Sequence, residues 1–124
     1  MVPNGLNRKN LGDLGESLAE GYLTAEGYQI LCRKYRTKIG EIDLIVMNDD
    51  CLVFVEVKTR RTKSYGEGFE AVNYKKQHTL RRVADQYLTY EKQQGKPDMS
   101  MRFDVVDVFI QGETPAINHI KNAF

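Results

Sequence analysis

The chain has 124 residues, 41% of them hydrophobic, enough for one core and too few for two, so a single domain spanning 1–124 is expected. No apolar run nears the ~20 residues that cross a bilayer, and the N-terminal MVPNGLNRKN lacks the apolar stretch of a secretory leader, which predicts a cytoplasmic protein with no membrane partner. The net charge of +1 conceals a division: residues 56–82 hold eight Lys/Arg against three acids, or +5, while the remainder of the chain is −4.

In chain order, Asn10 is placed to cap a helix with Asp13 in its first turn, and Leu11, Leu14, Leu18 and Tyr22 recur at helical spacing until Gly27 stops it. Tyr28 to Tyr35 reads as a strand. Ile39 to Met47 and Cys51 to Arg60 are β-rich runs joined by the polar turn Asn48-Asp49-Asp50, and so form a hairpin. Cys32 and Cys51 have neither CxxC spacing nor a nearby histidine; they read as ordinary buried thiols of a reducing compartment. The connector Ser64 to Gly68 lacks the Lys-Ser/Thr sequel of a phosphate loop, which argues against an NTPase. Asn73 caps a second helix with the apolar stripe Leu80, Val83, Ala84, Tyr87 and Leu88, ended by Gly95 and Pro97. Met101 to Ile110 is another strand, and Ile117 to Phe124 a candidate edge strand, against which polar Asn118 and Lys121 count. The order α-β-β-β-α-β, with an antiparallel hairpin inside it, predicts an α/β fold with a mixed sheet flanked by helices.

With Asp49 and Asp50 as a two-residue turn, Asn48 pairs with Cys51 and Asp43 falls opposite Glu56. The same register gathers Ile42, Val57, Leu44, Val55, Val46 and Val53 on one aliphatic face, which belongs in the core. On the other face Ile45, Phe54, Met47 and Leu52 give way to three charges, Asp43, Glu56 and Lys58. Adjacent carboxylates repel unless a cation lies between them, and magnesium takes a few carboxylate oxygens while keeping waters. Lys58, two residues beyond Glu56 on the same face, then reaches the attacking water or the phosphate charge. A Glu56–Lys58 ion pair at a strand end, with Asp43 merely solvated, accounts equally well for the same spacing.

The runs Gly40-Glu41-Ile42-Asp43-Leu44-Ile45 and Val53-Phe54-Val55-Glu56-Val57-Lys58-Thr59-Arg60 resemble the PD-(D/E)xK nuclease signature. From Gly12-Asp13-Leu14-Gly15-Glu16 through Arg102-Phe103-Asp104-Val105-Val106 to Asn122-Ala123-Phe124, the chain is similar to the YraN-like uncharacterised bacterial family, which itself resembles archaeal Holliday junction resolvases. That resemblance implies a restriction-endonuclease-like core and a magnesium- or manganese-dependent nuclease. Its substrate would be nucleic acid, DNA before RNA, and structured or branched DNA first. It implies that Asp43 and Glu56 bind the metal, that Lys58 assists the water, and that Glu16 of the first helix completes the site. Ile42 stands where the signature's name has proline, which is not a ligand. Glu41 is expected either to orient a metal-bound water or to pair with a nearby Lys or Arg. By analogy with resolvases, which cut two equivalent strands, a homodimer is expected.

The basic segment supplies candidate nucleic-acid contacts at Arg60, Arg61, Lys63, Lys75, Lys76, Gln77, Arg81 and Arg82, because cations set against phosphates release counterions. A solvated helix face produces the same charge run. Gln77 is implied, by the resemblance, to point toward the metal. Tyr65, Phe69 and Tyr74 are candidates for stacking on bases, although such aromatics more often pack. His78 and His119 lie far apart in sequence, and Asp104 and Asp107 fall on opposite strand faces, so neither a histidine triad nor a second metal pair is expected. The alternative to an enzyme is a catalytically silent nucleic-acid-binding module of the same fold, working in a DNA repair or processing complex.

Overall fold

A computed structural model describes residues 7–61, 72–112 and 114–124. The elements are α1 (Arg8–Ala25), β1 (Gln29–Arg36), β2 (Glu41–Asn48), β3 (Cys51–Arg60), α2 (Tyr74–Gln93), β4 (Ser100–Phe109) and β5 (Ala116–Ile120). This is the expected α/β class, extended by the edge strand β5, which ends before Phe124 because Asn122 turns the chain with φ 53.

Both helices are delimited by local chemistry. Asn7, not Asn10, caps α1: its side-chain oxygen accepts from the Asn10 N–H at 2.8 Å, since the helix-favouring Arg8 and Lys9 carry the helix one turn further back. Asn73 caps α2 as expected, accepting from the Lys76 N–H at 2.8 Å. Each helix ends in a left-handed glycine, Gly27 with φ 94 and Gly95 with φ 81. The next N–H bonds back to the helix in both, Tyr28 to Leu23 at 2.9 Å and Lys96 to Glu91 at 3.1 Å.

The strands form one sheet in the order β1-β2-β3-β4-β5. Only β3 and β4 run parallel, and α2 lies in the crossover between them. One face carries α1, with Ala19 and Leu23 packed on Leu44, Val46, Val53, Val55, Val106 and Val108. The other carries α2, with Leu80, Val83 and Tyr87 packed on Ile45, Leu52, Phe54, Phe103 and Val105. The buried spine of α1 is Gly15, Ala19 and Leu23, flanked by the half-buried Leu11, Leu14, Leu18 and Tyr22 of the expected stripe. A Cβ on Gly15 would fall 1.8 Å from Thr59 Oγ1, so glycine alone lets α1 settle this close to β3.

The hairpin keeps its expected register from Asn48↔Cys51 to Leu44↔Val55, with Asp49 at φ 54 in the turn. Beyond Leu44 the alternation breaks. Ile42 belongs to the α2 core with Ile45 and Phe54, contrary to its expected place beside Leu44 and Val46. The β2–β3 pairing stops at Leu44↔Val55, and beside this break left-handed Lys34 (φ 51) stands in the edge strand between the pairs Arg33↔Leu44 and Tyr35↔Ile42. Among the described residues, no helix is long and apolar enough to cross a membrane.

Candidate metal and nucleic-acid site

Glu56 and Lys58 sit in the carboxyl-terminal half of β3, beside its parallel neighbour β4, where ligands of α/β sheets commonly collect. The Glu56 side chain is 5% exposed, and two ammonium groups reach its Oε2: Lys76 Nζ of α2 at 3.0 Å and Lys58 Nζ at 3.6 Å. Where the ladder loosens, Asp43 uses its carboxylate in place of its backbone and accepts from the Val57 N–H at 2.8 Å. Its carboxyl also faces that of Glu56, and each shifts the other's proton affinity, Asp43 upward and Glu56 downward. Burial, the Glu56 contact and the Glu56 charge push Asp43 up to about 8, against a weaker pull from the Val57 N–H. Burial pushes Glu56 up as well, but the Asp43 proton and the ammoniums of Lys76 and Lys58 hold it below the usual range.

The half-buried Asp43 carboxyl and the buried Glu56 carboxyl form an acid pair with Lys58 and Lys76 against Glu56. That donor set fits a small divalent cation, which commonly takes one or two carboxylates and fills its remaining positions with water and phosphate. Glu16 stands nearby without joining them. Its charge contributes to raising Asp43, yet its Oε1 lies 3.0 Å from Lys34 Nζ, which also reaches Asp13 at 3.5 Å. Accordingly no group of three or more His, Cys, Asp or Glu side chains converges on a metal position among the described residues. Glu41 pairs with Arg36, the second of its two expected roles.

The basic candidates differ in their surroundings. Arg60 binds Asp107 at 2.8 Å, both largely buried. Arg81 lies over the rings of Phe103 and Phe124, 4.9 and 5.6 Å from their centres. Gln77 gives its side-chain N–H to the Val72 carbonyl at 2.9 Å. Arg61, Lys75 and Arg82 are exposed, as is Tyr74. Lys63, Tyr65, Phe69 and the Ser64–Gly68 connector lie outside the described residues.

Two features escaped the sequence. Lys76 enters the acid pair, a placement that follows from the Asn73 cap and the α2 crossover and leaves no local mark. The second is a buried network. Asp104 accepts from Arg102 at 2.9 and 3.1 Å, from His119 Nε2–H at 2.7 Å and from the Asn122 N–H at 2.9 Å. With that tautomer His119 Nδ1 accepts from the Tyr22 hydroxyl at 3.2 Å, and Arg102 also donates to Tyr28 at 2.8 Å. His119 is thus anchored by a strand acid fifteen residues away, a pairing visible only once β4 and β5 are aligned.

Residues 15–108, from α1 into β4, match the protein family described as "Uncharacterised protein family UPF0102". The chain belongs to that family. A UPF0102 protein of Alkaliphilus oremlandii (strain OhILAs) is 50% identical over 116 residues, covering 94% of this chain and 98% of the relative. One from Caldicellulosiruptor bescii is 44% identical over 121 residues, covering 96% and 100%. Another, from Rhodococcus jostii (strain RHA1), is 45% identical over 115 residues, covering 92% and 95%. The YraN-like resemblance read from the motifs is thereby borne out, and the UPF0102 match spans Glu16, Asp43, Glu56, Lys58 and Lys76.

Proposed function

We propose that this UPF0102 protein is a divalent-metal-dependent nuclease that hydrolyses phosphodiester bonds of nucleic acid, with magnesium or manganese as cofactor and structured or branched DNA as its substrate. The observation that carries the reading is the acid pair of half-buried Asp43 and buried Glu56, with two lysines against Glu56. A bound divalent cation supplies an activated water and neutralises charge on the phosphate. Asp43 and Glu56 hold the cation, and Lys58, about a quarter exposed, meets the attacking water or the phosphate oxygen. Arg61, Lys75 and Arg82 meet flanking phosphates without reading bases. Cutting paired strands calls for two such sites, so a homodimer is part of the proposal.

The test is incubation of the purified protein with labelled branched, flapped and single-stranded DNA and RNA, in magnesium, manganese or chelator. The reading expects products that require metal and vanish in Asp43→Ala. One observation favours the silent binding module instead: Glu16 is taken up by Lys34, which leaves two acids where the resemblance implies three. That module predicts equal, salt-dependent binding by wild type and Asp43→Ala, and cutting by neither.

A further inference from the structure

We infer that Lys76 is a second lysine of the active centre, whose ammonium stands on Glu56 in place of a divalent cation and passes to the substrate phosphate when the cation enters. The inference rests on the nuclease reading and adds to it a cation exchange built into α2.

Of the two ammoniums on Glu56 Oε2, Lys76 is the nearer, at 3.0 Å against 3.6 Å for Lys58. It comes from a different element, so it ties the strand acid to the crossover helix. Its backbone is fixed, because the Lys76 N–H is held by Asn73 at 2.8 Å and the neighbouring Gln77 side chain by the Val72 carbonyl at 2.9 Å. Only the four-carbon stem is free to move, and that side chain is 44% exposed while Glu56 is 5% exposed. The carboxylate is therefore the stationary partner and the ammonium the one with somewhere to go.

A buried carboxylate with no counter-charge is costly, so a resident ammonium keeps Glu56 ionised and ready. A hydrogen-bonded ammonium and a directly bonded divalent cation cannot share one oxygen without strong like-charge repulsion. Entry of the cation must displace Lys76, whereas Lys58 already stands further off. Among the described residues, the displaced ammonium finds few other acids. Lys76 feels the charges of Asp43, which in this reading is taken by the cation, and of Glu41, which is paired with Arg36, and the first turn of α2 has no acidic residue. The anion left for it is one brought by the substrate, and a phosphodiester oxygen beside the cation is within the class that lysine binds.

The test needs no cleavage. Manganese affinity is measured by calorimetry, without nucleic acid, for wild type, Lys76→Met, Lys76→Arg and Asp43→Asn, with circular dichroism to confirm folding. Removing the resident ammonium is expected to tighten manganese binding in Lys76→Met by roughly tenfold. It should also weaken DNA binding and lower the salt slope by about 1, with Lys76→Arg close to wild type. Equal or weaker manganese binding by Lys76→Met overturns the inference. If Asp43→Asn still abolishes that binding, the nuclease reading survives; if wild type and Lys76→Met both bind no manganese, the two fall together. Lysine side-chain NMR of the unaltered protein gives an independent check. Saturating magnesium must move the Lys76 signal more than the Lys58 signal, and a stationary Lys76 signal overturns the exchange.

Discussion

Half-buried Asp43 and fully buried Asp104 are aspartates of the same sheet in opposite electrostatic surroundings. Asp104 has a bidentate guanidinium, an imidazole N–H and a backbone N–H, and these hold it below the usual carboxylate range despite burial. Asp43 has one backbone N–H and a second carboxyl, and rises to about 8. The first is a finished piece of structure; the second, in the proposed function, is where a cation would be held. Burial alone therefore does not set the state of an acid; the donors and charges that meet the carboxylate do.

The sharpest break in the comparison comes from removing each acid in turn. Asp43→Asn should lower metal-dependent cleavage by roughly 100-fold or more while leaving the melting temperature no lower, since it removes a crowded charge. Asp104→Ala should do the reverse, costing about 3–5 kcal/mol in urea unfolding because it leaves Arg102 buried without its acid, with manganese affinity unchanged. If Asp43→Asn proves the more destabilising, the contrast is wrong.

The pH dependence sharpens the same point. Asp104 has a folded-state value below its ordinary 3.8, so its contribution is fully present above that value and is lost as the pH falls below it. Acid unfolding of wild type should therefore be steeper below about pH 4 than that of Asp104→Asn, as followed by circular dichroism. A smaller effect tests the approach of α1 to the sheet. Gly15→Ala should cost ~1–3 kcal/mol, part of it recovered by adding Thr59→Ala, as read from thermal melts of the single and double variants.

The hairpin was legible because an even turn fixes every pair that follows it, and the Asn73 cap because an asparagine before an amphipathic stretch is a local signal. The same arithmetic set Asp43 opposite Glu56, whereas the observed ladder ends one pair earlier, at Leu44↔Val55. Three things were not legible. The choice between Asn7 and Asn10 turns on how far Arg8 and Lys9 prolong a helix, and both asparagines satisfy the same pattern. The switch of Ile42 to the α2 core comes just past the end of the β2–β3 ladder, a break to which no hydrophobic pattern is sensitive. The retention of Glu16 by Lys34 and the arrival of Lys76 at Glu56 are long-range side-chain meetings, set by how two helices dock on opposite faces.

The five-residue strand β5 lies at the sheet edge, where strands ordinarily open at little cost. Here it is tied into both layers. His119 binds Asp104, the Asn122 N–H binds the same carboxylate, the Ala123 N–H reaches the Phe103 carbonyl at 2.7 Å, and Phe124 stacks on the Phe103 ring at 5.1 Å. Peeling the edge away would strip a buried acid of two donors and uncover an aromatic stack in the same event. In amide exchange the margin should behave as part of the slowest unit of the protein, opening with the sheet rather than ahead of it.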